Sequence, residues 1–502
     1  MTEGRRHGGR RGARRVVVVG GGITGLTAAH RLIRHPTDPP IEVQLMEADD
    51  QLGGKIRTVE IDDFPIETGA DSFVVRKPWA VELASEVGLR DQLVAPGADG
   101  AFVWLRDGSM VPFPARSSFG VPAGLGELLK WRGLPIRHRL RAATDLVHPA
   151  RSGRPDESLG RLLSRRLGPA AARVLVGPLL AGIHAGDPDR LSVEATFPEL
   201  RAWEQGHGGL LRGAKRAAKT AHDRGGPMFG TVWGGLSRLV DALEGDIGAE
   251  RIRRGAPVSE LRARGDGGYE VVVDGRPLPA DAVVLATPAF ESARLLSKLN
   301  REAAGELRSI QYASSAVALL VYPEMTDELL PKGTGFIVPI GDRAMTACTW
   351  VSRKWPREDY GRRAVLRCFV GRAGSDMTLR LRDHRLIAAV SAEVEAATPI
   401  GAAPTTSWVV RWQRSMPQYV VGHLDLLERI DAAMVATPGL FLAGSAYRGV
   451  GIADCIHQAN ESAAAVKVYL GARETGLRPD DEIKARRQAE READRWRRRR
   501  TS

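Results

Sequence analysis

The sequence of 502 residues has little cysteine and no long apolar run. Its three cysteines, Cys348, Cys368 and Cys455, form no Cys-x-x-Cys pair, which argues against a structural zinc knuckle and favours a reducing compartment. No apolar run approaches the roughly 18–20 residues that a membrane-spanning helix needs. The arginine cluster at the N-terminus leads into valines and glycines rather than into the apolar core of a signal peptide. We therefore expect a cytoplasmic protein, and a peripheral contact with a membrane is left open.

An excess of charge is also missing from the body of the chain. The whole sequence carries 72 Lys and Arg against 60 Asp and Glu, but residues 1–15 and 484–500 hold 15 of the basic and four of the acidic side chains. The nearly neutral remainder predicts no specific nucleic-acid groove. Residues 1–14 and 473–502 are expected to be solvated, disordered basic tails. Non-specific binding of these tails to anionic lipid or nucleic acid is the alternative.

A βαβ unit opens the folded part of the chain. The β-branched run Val16–Val19 is typical of a buried parallel strand. The glycines Gly20, Gly22 and Gly25 follow it, then residues with helical spacing, and Ile41–Glu47 predicts a second strand that ends in an acid. This order of strand, glycine turn, helix and acid-tipped strand is typical of a dinucleotide-binding fold.

Each member of this pattern has a physical role in holding a dinucleotide. The first glycine allows a tight turn, the second lets a pyrophosphate approach the backbone, and the third lets helix and strand pack closely. The unpaired N–H groups of the helix and the positive end of its dipole then face the phosphates. Glu47, 22 residues after Gly25, is placed to accept hydrogen bonds from the ribose hydroxyls, and its charge disfavours a 2′-phosphate.

Both FAD and NAD are bound by this fingerprint, and later segments distinguish them. Six residues after Glu47 the chain has the sequence GGK at 53–55, and residues 67–73 read ETGADSF. Near the C-terminus a strand runs into Gly444, and GVGI at 449–452 leads into a helix. These segments resemble the FAD-dependent amine-oxidase-like flavoproteins, in which the last helix points its N-terminus at the flavin ring. The resemblance implies FAD as the cofactor, with the helix dipole stabilising the reduced flavin.

Within that superfamily, nearly all of residues 14–470 resemble the bacterial protoporphyrinogen and coproporphyrinogen oxidases. The matching segments that begin at Gly20 and Gly53 are shared with any relative of the superfamily. The more selective segments are TACTWVSRKWP at 346–356, RWQRSMPQYVVGH at 411–423 and GVGIADCI at 449–456. The chain departs from the family pattern at Ala70 and Ala453, where proline is usual, and both changes loosen the backbone without removing a polar group.

The resemblance implies an α/β fold in which a Rossmann-like FAD-binding domain is interleaved with a mixed-sheet substrate domain and a helical insert. The FAD-binding domain is expected in three parts, at 15–80, 229–300 and 426–472. The substrate domain is expected in two parts, at 81–115 and 301–425. The helical substrate or lid domain is expected at 116–228.

The resemblance also assigns the cofactor site residue by residue. The expected contacts of FAD are Gly20, Gly21, Gly22, Ile23, Thr24, Gly25, Glu47, Ala48, Gly54, Lys55, Gly69, Ala70, Asp71, Ser72, Val258, Trp412, Ala443, Gly444, Val450, Gly451 and Ile452. Val258 is expected to meet the adenine through its backbone. Trp412 and Tyr419 are expected to line the flavin or the substrate cavity, with ordinary core packing as the alternative. His184 and His423 have no partners at metal-ligand spacing, so no metal site is expected.

A porphyrinogen is a flat, apolar macrocycle with carboxylate side arms, so its site needs cations. The candidates are Arg76, Lys77, Arg353, Lys354 and Arg448. Lys77 is the preferred catalytic-site residue, because its segment leads from the expected flavin contacts towards the substrate. For each of these side chains, a solvated surface position is the alternative.

The activity that the resemblance implies is the oxidation of coproporphyrinogen III to coproporphyrin III in haem biosynthesis. Six electrons would leave in three flavin cycles, and dioxygen would take them up as hydrogen peroxide. The alternatives are a protoporphyrinogen IX oxidase, another FAD oxidase or desaturase of this fold acting on amines or polyenes, and a flavin-free binding protein. The intact glycines and Glu47 argue against the last of these. A contact with a ferrochelatase of the haem pathway is left open.

Overall fold

The computed structural model describes residues 13–34, 37, 40–62, 64–150, 156–341, 343–374 and 378–475. Apart from residues 13, 14 and 473–475, the two predicted basic tails lie outside the described residues. The strands are β1 (Arg14–Val19), β2 (Ile41–Met46), β3 (Thr58–Ile61), β4 (Phe64–Glu67), β5 (Phe73–Val74), β6 (Leu93–Val94), β7 (Phe102–Trp104), β8 (Met110–Pro112), β9 (Ser117–Ser118), β10 (Val121–Pro122), β11 (Phe229–Val232), β12 (Ile252–Arg253), β13 (Val258–Ala263), β14 (Tyr269–Val273), β15 (Arg276–Ala280), β16 (Ala282–Leu285), β17 (Tyr312–Val321), β18 (Gly335–Ile337), β19 (Met345–Trp350), β20 (Val365–Val370), β21 (Thr406–Pro417) and β22 (Leu440–Leu442).

Helices lie between and beside these strands. The α-helices are α1 (Ile23–Arg34), α2 (Pro78–Glu86), α3 (Leu125–Lys130), α4 (Ile136–Ala143), α5 (Leu159–Leu167), α6 (Pro169–Ala171), α7 (Gly177–Ile183), α8 (Val193–Thr196), α9 (Pro198–His207), α10 (Leu210–Arg224), α11 (Ser237–Ile247), α12 (Ala289–Leu296), α13 (Arg301–Ser309), α14 (Val351–Lys354), α15 (Asp383–Ala397), α16 (His423–Met434) and α17 (Ile452–Thr475). Within the described residues, no helix is long and apolar enough to cross a bilayer.

A parallel five-stranded sheet carries the predicted βαβ unit. Its strand order is β12-β2-β1-β16-β22, so it takes strands from three separate stretches of the chain. Val16 and Val18 of β1 lie in one core cluster with α1, α11 and α17, and Val17 and Val19 lie in another with β13–β15 and α12. Burial on both faces explains why this strand is a continuous apolar run rather than an alternating one.

A second, mixed sheet contains seven strands in the order β21-β17-β20-β19-β18-β7-β8. Its neighbours are antiparallel except for β18 and β7, which are parallel. α15 packs on one face of this sheet, and the β3–β4 hairpin packs on the other. The hairpin therefore joins the part of the chain that carries the βαβ unit to the second sheet.

Helices α3–α10 form a layer with its own apolar core. Trp203 and Leu210 lie in this core, which explains why the polar, glycine-containing stretch of α9 and α10 is helical. A wide helical turn over Ala172–Val176 precedes α7, so that Pro178 stands at the helix start, where its missing N–H costs no hydrogen bond. Arg166 is fully buried in the layer, and its Nε donates to Asp145 Oδ1 at 2.6 Å.

Candidate active site

The glycine turn lies at the carboxyl end of β1, which has β2 on one side and β16 on the other. Open parallel sheets bind ligands at such a switch point. Gly20 has a φ of +107°, and a Cβ on it would lie 2.7 Å from the carbonyl oxygen of Ala286. A Cβ on Gly25 would lie 1.8 Å from the carbonyl oxygen of Gly20, whereas one on Gly22 would meet nothing within 4 Å. The turn is therefore closed towards the sheet and open at Gly22, where a phosphate would approach.

Glu47 is held against this turn. Its Oε2 accepts a hydrogen bond from the backbone N–H of Gly21, and its Oε1 accepts one from the N–H of Asp49 at 2.8 Å. Its carbonyl oxygen accepts a hydrogen bond from the N–H of Ala256 at 2.8 Å, two residues before Val258 at the start of β13. The residues predicted to meet the ribose and the adenine are therefore neighbours.

The second glycine motif packs on the first. The N–H of Gly53 donates to the carbonyl oxygen of Gly21 at 2.9 Å, and a Cβ on Gly54 would lie 3.4 Å from Cα of Gly22. The carbonyl oxygen of Lys55 accepts a hydrogen bond from the N–H of Ala70 at 3.1 Å. These contacts bring the predicted segment 69–72 to the open side of the turn.

The C-terminal motif completes the same space. Lys55 Nζ donates to the hydroxyl of Ser445 at 3.1 Å, and burial lowers the pKa of this lysine. A Cβ on Gly444 would lie 3.9 Å from Oγ1 of Thr24 in the first turn of α1. The loop that leads into α17 therefore lies next to the N-terminus of α1.

Trp412 packs against the predicted segment that begins at Gly69. Its Nε1 donates to the carbonyl oxygen of Thr68 at 2.8 Å, and its ring would lie 3.2 Å from a Cβ on Gly69. The predicted contacts that retain some exposure to solvent are Gly20, Gly22, Glu47, Ala48, Gly54, Lys55, Gly69, Ala70, Asp71, Ser72, Trp412, Val450 and Gly451. The predicted contacts that are buried include Ile23, Thr24, Gly25, Val258, Ala443, Gly444 and Ile452.

A family model described as flavin containing amine oxidoreductase matches residues 23–467 of this chain. The chain belongs to this family. The match begins at the first residue of α1 and takes in the mixed sheet and most of α17, and it confirms the predicted fold class, the predicted flavoprotein oxidoreductase and FAD as the cofactor. The division into domains stays a prediction.

Relatives of known name and structure extend along the whole family match. Coproporphyrinogen III oxidase from Bacillus subtilis is 34% identical over 482 residues, which cover 94% of this chain and 100% of the relative. Protoporphyrinogen oxidase 1 from Arabidopsis thaliana is 28% identical, with 90% of this chain and 88% of the relative covered. A crystal structure of a protein from Exiguobacterium sp., assigned as a protoporphyrinogen oxidase, has a TM-score of 0.81 and 34% identity, with 91% and 99% covered. A putrescine oxidase structure has a TM-score of 0.67 and 17% identity, which shows the fold alone.

The residues present fit the family's cofactor. The open side of Gly22 leaves room for a pyrophosphate, and the N-terminus of α1 faces it with unpaired N–H groups. The buried amine of Lys55 has no carboxylate partner within the described ranges, which suits a place for an anion. Glu47 is fixed where the ribose is expected, and Val450 and Gly451 stay accessible at the start of α17.

The side chain of Asp71 forms ion pairs with two cations, Lys354 and Arg367. Its Oδ1 accepts from the hydroxyl of Ser72 at 2.8 Å, and its Oδ2 lies 2.9 Å from Lys354 Nζ and 3.1 Å from Arg367 Nη1. Burial alone would raise the pKa of Asp71, but the two cations hold it well below its ordinary value. The carboxylate therefore ties the segment 69–72 to the second sheet, and a cofactor contact through its backbone stays a prediction.

The candidate substrate cations are mostly paired with carboxylates. Lys77 Nζ lies 2.6 Å from Asp454 Oδ1 in the first turn of α17. The other paired candidates are Arg353 with Asp327, Lys354 with Asp71, and Arg448 with Asp431. Arg76 is exposed and forms no ion pair with the residues that the structure describes. The structure thus places Lys77 beside the N-terminus of α17, and its role towards flavin or substrate stays a prediction.

Tyr419 is a functional candidate whose contacts the sequence did not reveal. Its hydroxyl donates to the carbonyl oxygen of Ser445 and accepts from the N–H of Gly449, both at 2.8 Å. Its ring stacks on His423 with 4.0 Å between ring centroids, and Nε2 of His423 lies 2.9 Å from the carbonyl oxygen of Tyr447. Tyr419 and His423 therefore hold the loop 445–449 that precedes α17. Tyr419 lies between the end of β21 and the start of α16, so no helix or strand spacing predicts these contacts.

A second feature is a cavity of about 220 Å³ behind the segment 69–72. Glu67 lines it, with Oε1 accepting from the N–H of Leu236 at 2.5 Å and from the hydroxyl of Thr58 at 3.0 Å. Burial raises the pKa of Glu67 to about 7. Arg367 also lines the cavity and is only 1% exposed. An arginine inside the apolar strand VLRCFV is the sequence signal for such a buried charge network.

Proposed function

We propose that this protein oxidises coproporphyrinogen III to coproporphyrin III, with FAD as the immediate electron acceptor and dioxygen as the final oxidant. Six hydrogen atoms leave the macrocycle, and three dioxygen molecules take them up as three hydrogen peroxide molecules. The observation that carries this proposal is the match along 100% of a relative named coproporphyrinogen III oxidase. The intact dinucleotide site supports the redox part of the proposal.

The residues of the site bind and orient rather than react. FAD, when bound, supplies the hydride-accepting chemistry. The backbone at Gly20–Gly25 and the amine of Lys55 would hold its phosphates, and Glu47 would hold its ribose. The N-terminus of α17 would present the positive end of its dipole to the cofactor. The protein's remaining task is to present a substrate C–H bond at a near-attack distance in a place that excludes water.

The carboxylate arms of the substrate need cations at the rim. Lys77 is the first candidate, because it lies beside the N-terminus of α17 and its side chain is 44% exposed. Arg76 is the second, because it is exposed and forms no ion pair with the described part of the chain. A propionate that binds Lys77 shares the ammonium group with the carboxylate of Asp454. A propionate that binds Arg76 competes with no carboxylate of the described residues.

Protoporphyrinogen IX is the second candidate substrate. The Arabidopsis relative is named protoporphyrinogen oxidase, and the Exiguobacterium structure is assigned as one. The two substrates differ in their carboxylates, since coproporphyrinogen III has four propionates and protoporphyrinogen IX has two. Discrimination therefore depends on how many cations face the macrocycle.

Aerobic turnover of the two porphyrinogens, followed by porphyrin fluorescence on the same flavin-loaded preparation, tests the proposal. We expect faster turnover of coproporphyrinogen III, and we expect both rates to vanish after removal of FAD or of dioxygen. Faster turnover of protoporphyrinogen IX would support the second candidate. A flavin-loaded protein that oxidises neither would contradict the proposal.

We also propose a peripheral contact of the helical layer with anionic membranes. Ile136 and Leu140 of α4 and the nearby Val147 are exposed apolar side chains, and exposed Arg132 and Arg137 lie among them. Flotation with vesicles that contain anionic lipid is expected to carry the protein along, and the double change Ile136→Ser and Leu140→Ser is expected to release it. Equal flotation of both proteins would contradict this surface. A contact with a ferrochelatase stays a prediction.

A further inference from the structure

Asp454 lies where a negative charge opposes the chemistry proposed above. It belongs to the first turn of α17, the helix whose N-terminus is expected to face the flavin. A Cβ on Gly449 would lie 2.6 Å from Cβ and Cγ of Asp454, and a Cβ on Gly451 would lie 3.0 Å from its Oδ2. The carboxylate therefore rests against the loop 449–451. An unpaired anion at this point would cancel the positive end of the helix dipole.

Lys77 supplies the opposite charge. Its Nζ lies 2.6 Å from Oδ1 of Asp454, whose side chain is only 19% exposed. Lys77 is the residue directly before α2, and α2 packs against α17. At the contact between these two helices, the ring of Trp79 in α2 stacks on that of His457 in α17, with 4.0 Å between ring centroids and 7° between ring planes. The ion pair is therefore held by two packed helices and does not depend on a mobile side chain alone.

We propose that Lys77 is a positioning residue for the flavin chemistry: by pairing with Asp454, it keeps the N-terminus of α17 positive towards the flavin and so favours the reduced cofactor. This role rests on the FAD site of the proposed function. It is independent of which porphyrinogen is oxidised and of whether Lys77 also binds a propionate. On this proposal, the charge of Asp454 sets how positive the electrostatic potential of the helix N-terminus is at the flavin.

The midpoint potential of the bound flavin, measured anaerobically against a reference dye without substrate, tests this proposal. Lys77→Met leaves Asp454 unpaired and is expected to shift the equilibrium about tenfold towards oxidised flavin, which is about 30 mV for a two-electron couple. Asp454→Asn leaves Lys77 unpaired and is expected to shift it by a similar factor towards reduced flavin. The double variant is expected to lie within about threefold of the unchanged protein, as a coupled pair requires.

Two further variants guard against a general loss of structure. Asp431→Asn removes the same charge from an ion pair with Arg448, in which both side chains are more than half exposed, and it is expected to leave the potential unchanged. Lys77→Arg keeps the charge and is expected to keep the potential. If Lys77→Arg and Lys77→Met shift the potential equally, or if Lys77→Met leaves it unchanged and raises only the KM for substrate, the proposal is wrong. Substrate turnover is measured separately, so failure of the proposed substrate would leave this result interpretable.

Discussion

Replacement of Tyr419 by phenylalanine removes a single hydroxyl that bridges two points of the loop before α17. The hydroxyl makes two hydrogen bonds of 2.8 Å, to the carbonyl oxygen of Ser445 and from the N–H of Gly449, and the side chain is 1% exposed. The ring and its stacking on His423 are retained in this variant. The change therefore tests the two hydrogen bonds and little else.

The size of the effect follows from the groups left behind. A buried polar group that loses its hydrogen-bond partner destabilises the fold by about 1–3 kcal/mol. Water can partly replace the hydroxyl at the half-buried Ser445 and Gly449. We therefore take about 2 kcal/mol as the free-energy cost of losing both hydrogen bonds. If the loosened loop must be ordered again when FAD binds, the whole of this cost lowers the affinity. An affinity loss of up to about thirtyfold is then expected, since each 1.4 kcal/mol is tenfold.

The assay is the dissociation constant of FAD, read from the fluorescence of released flavin, together with the Tm of the FAD-free and FAD-bound forms. Tyr360→Phe is the matched control, because its hydroxyl donates one hydrogen bond of 3.3 Å to the carbonyl oxygen of Pro65, and Tyr360 lies in the core between the β3–β4 hairpin and the second sheet. We expect a large affinity loss for the Tyr419 variant and almost none for the control. Equal FAD affinities in the two variants would refute the assignment of Tyr419 to the flavin loop.

Three other changes have distinct expected outcomes. Glu47→Ala should lower FAD retention, because the ribose contact and the hydrogen bond that fixes the glycine turn are both lost; unchanged flavin content after gel filtration would remove Glu47 from the ribose site. Glu67→Gln should change the pH dependence of stability, because burial raises the pKa of Glu67 from 4.5 to about 7. Between these two values the folded protein holds a proton that the unfolded chain has lost. As the pH rises from about 4.5 to above 7, the free energy of unfolding of the unchanged protein should therefore fall by up to about 3 kcal/mol relative to that of the variant. Parallel curves of unfolding free energy against pH for the two proteins would contradict that pKa. Arg166→Leu should destabilise the protein by about 3–5 kcal/mol, because it leaves the fully buried Asp145 carboxylate without its cation. Arg264→Leu removes one member of an exposed ion pair and should leave the free energy of unfolding almost unchanged. Similar denaturant midpoints for these two variants would show that the buried pair is not needed.

The local motifs could be predicted from the sequence because their physics is local. The run Val16–Val19, the glycines after it and Glu47 occupy neighbouring positions of one βαβ unit, and the structure brings them together as predicted. The family resemblance then located the distant segments around Gly53 and Gly444. The predicted strands Val16–Val19 and Ile41–Glu47 differ from β1 and β2 by two residues and one residue.

The pairing of charges could not be predicted in the same way. Five cations were candidates for the substrate, and nothing in their local sequence distinguishes a free cation from a paired one. Lys77 meets Asp454 across 377 residues of chain, and Lys354 meets Asp71 across 283. Such contacts depend on how α2 packs on α17 and how the second sheet packs on the β3–β4 hairpin, which a local pattern does not contain.

Anaerobic mixing of the flavin-loaded protein with coproporphyrinogen III tests the central claim most directly. The account predicts that the visible absorbance of the oxidised flavin is lost at a rate at least as fast as aerobic turnover. It also predicts that the absorbance returns, with formation of hydrogen peroxide, when dioxygen is admitted. A flavin that stays oxidised in the presence of coproporphyrinogen III, while a chemical reductant reduces it, would contradict the account.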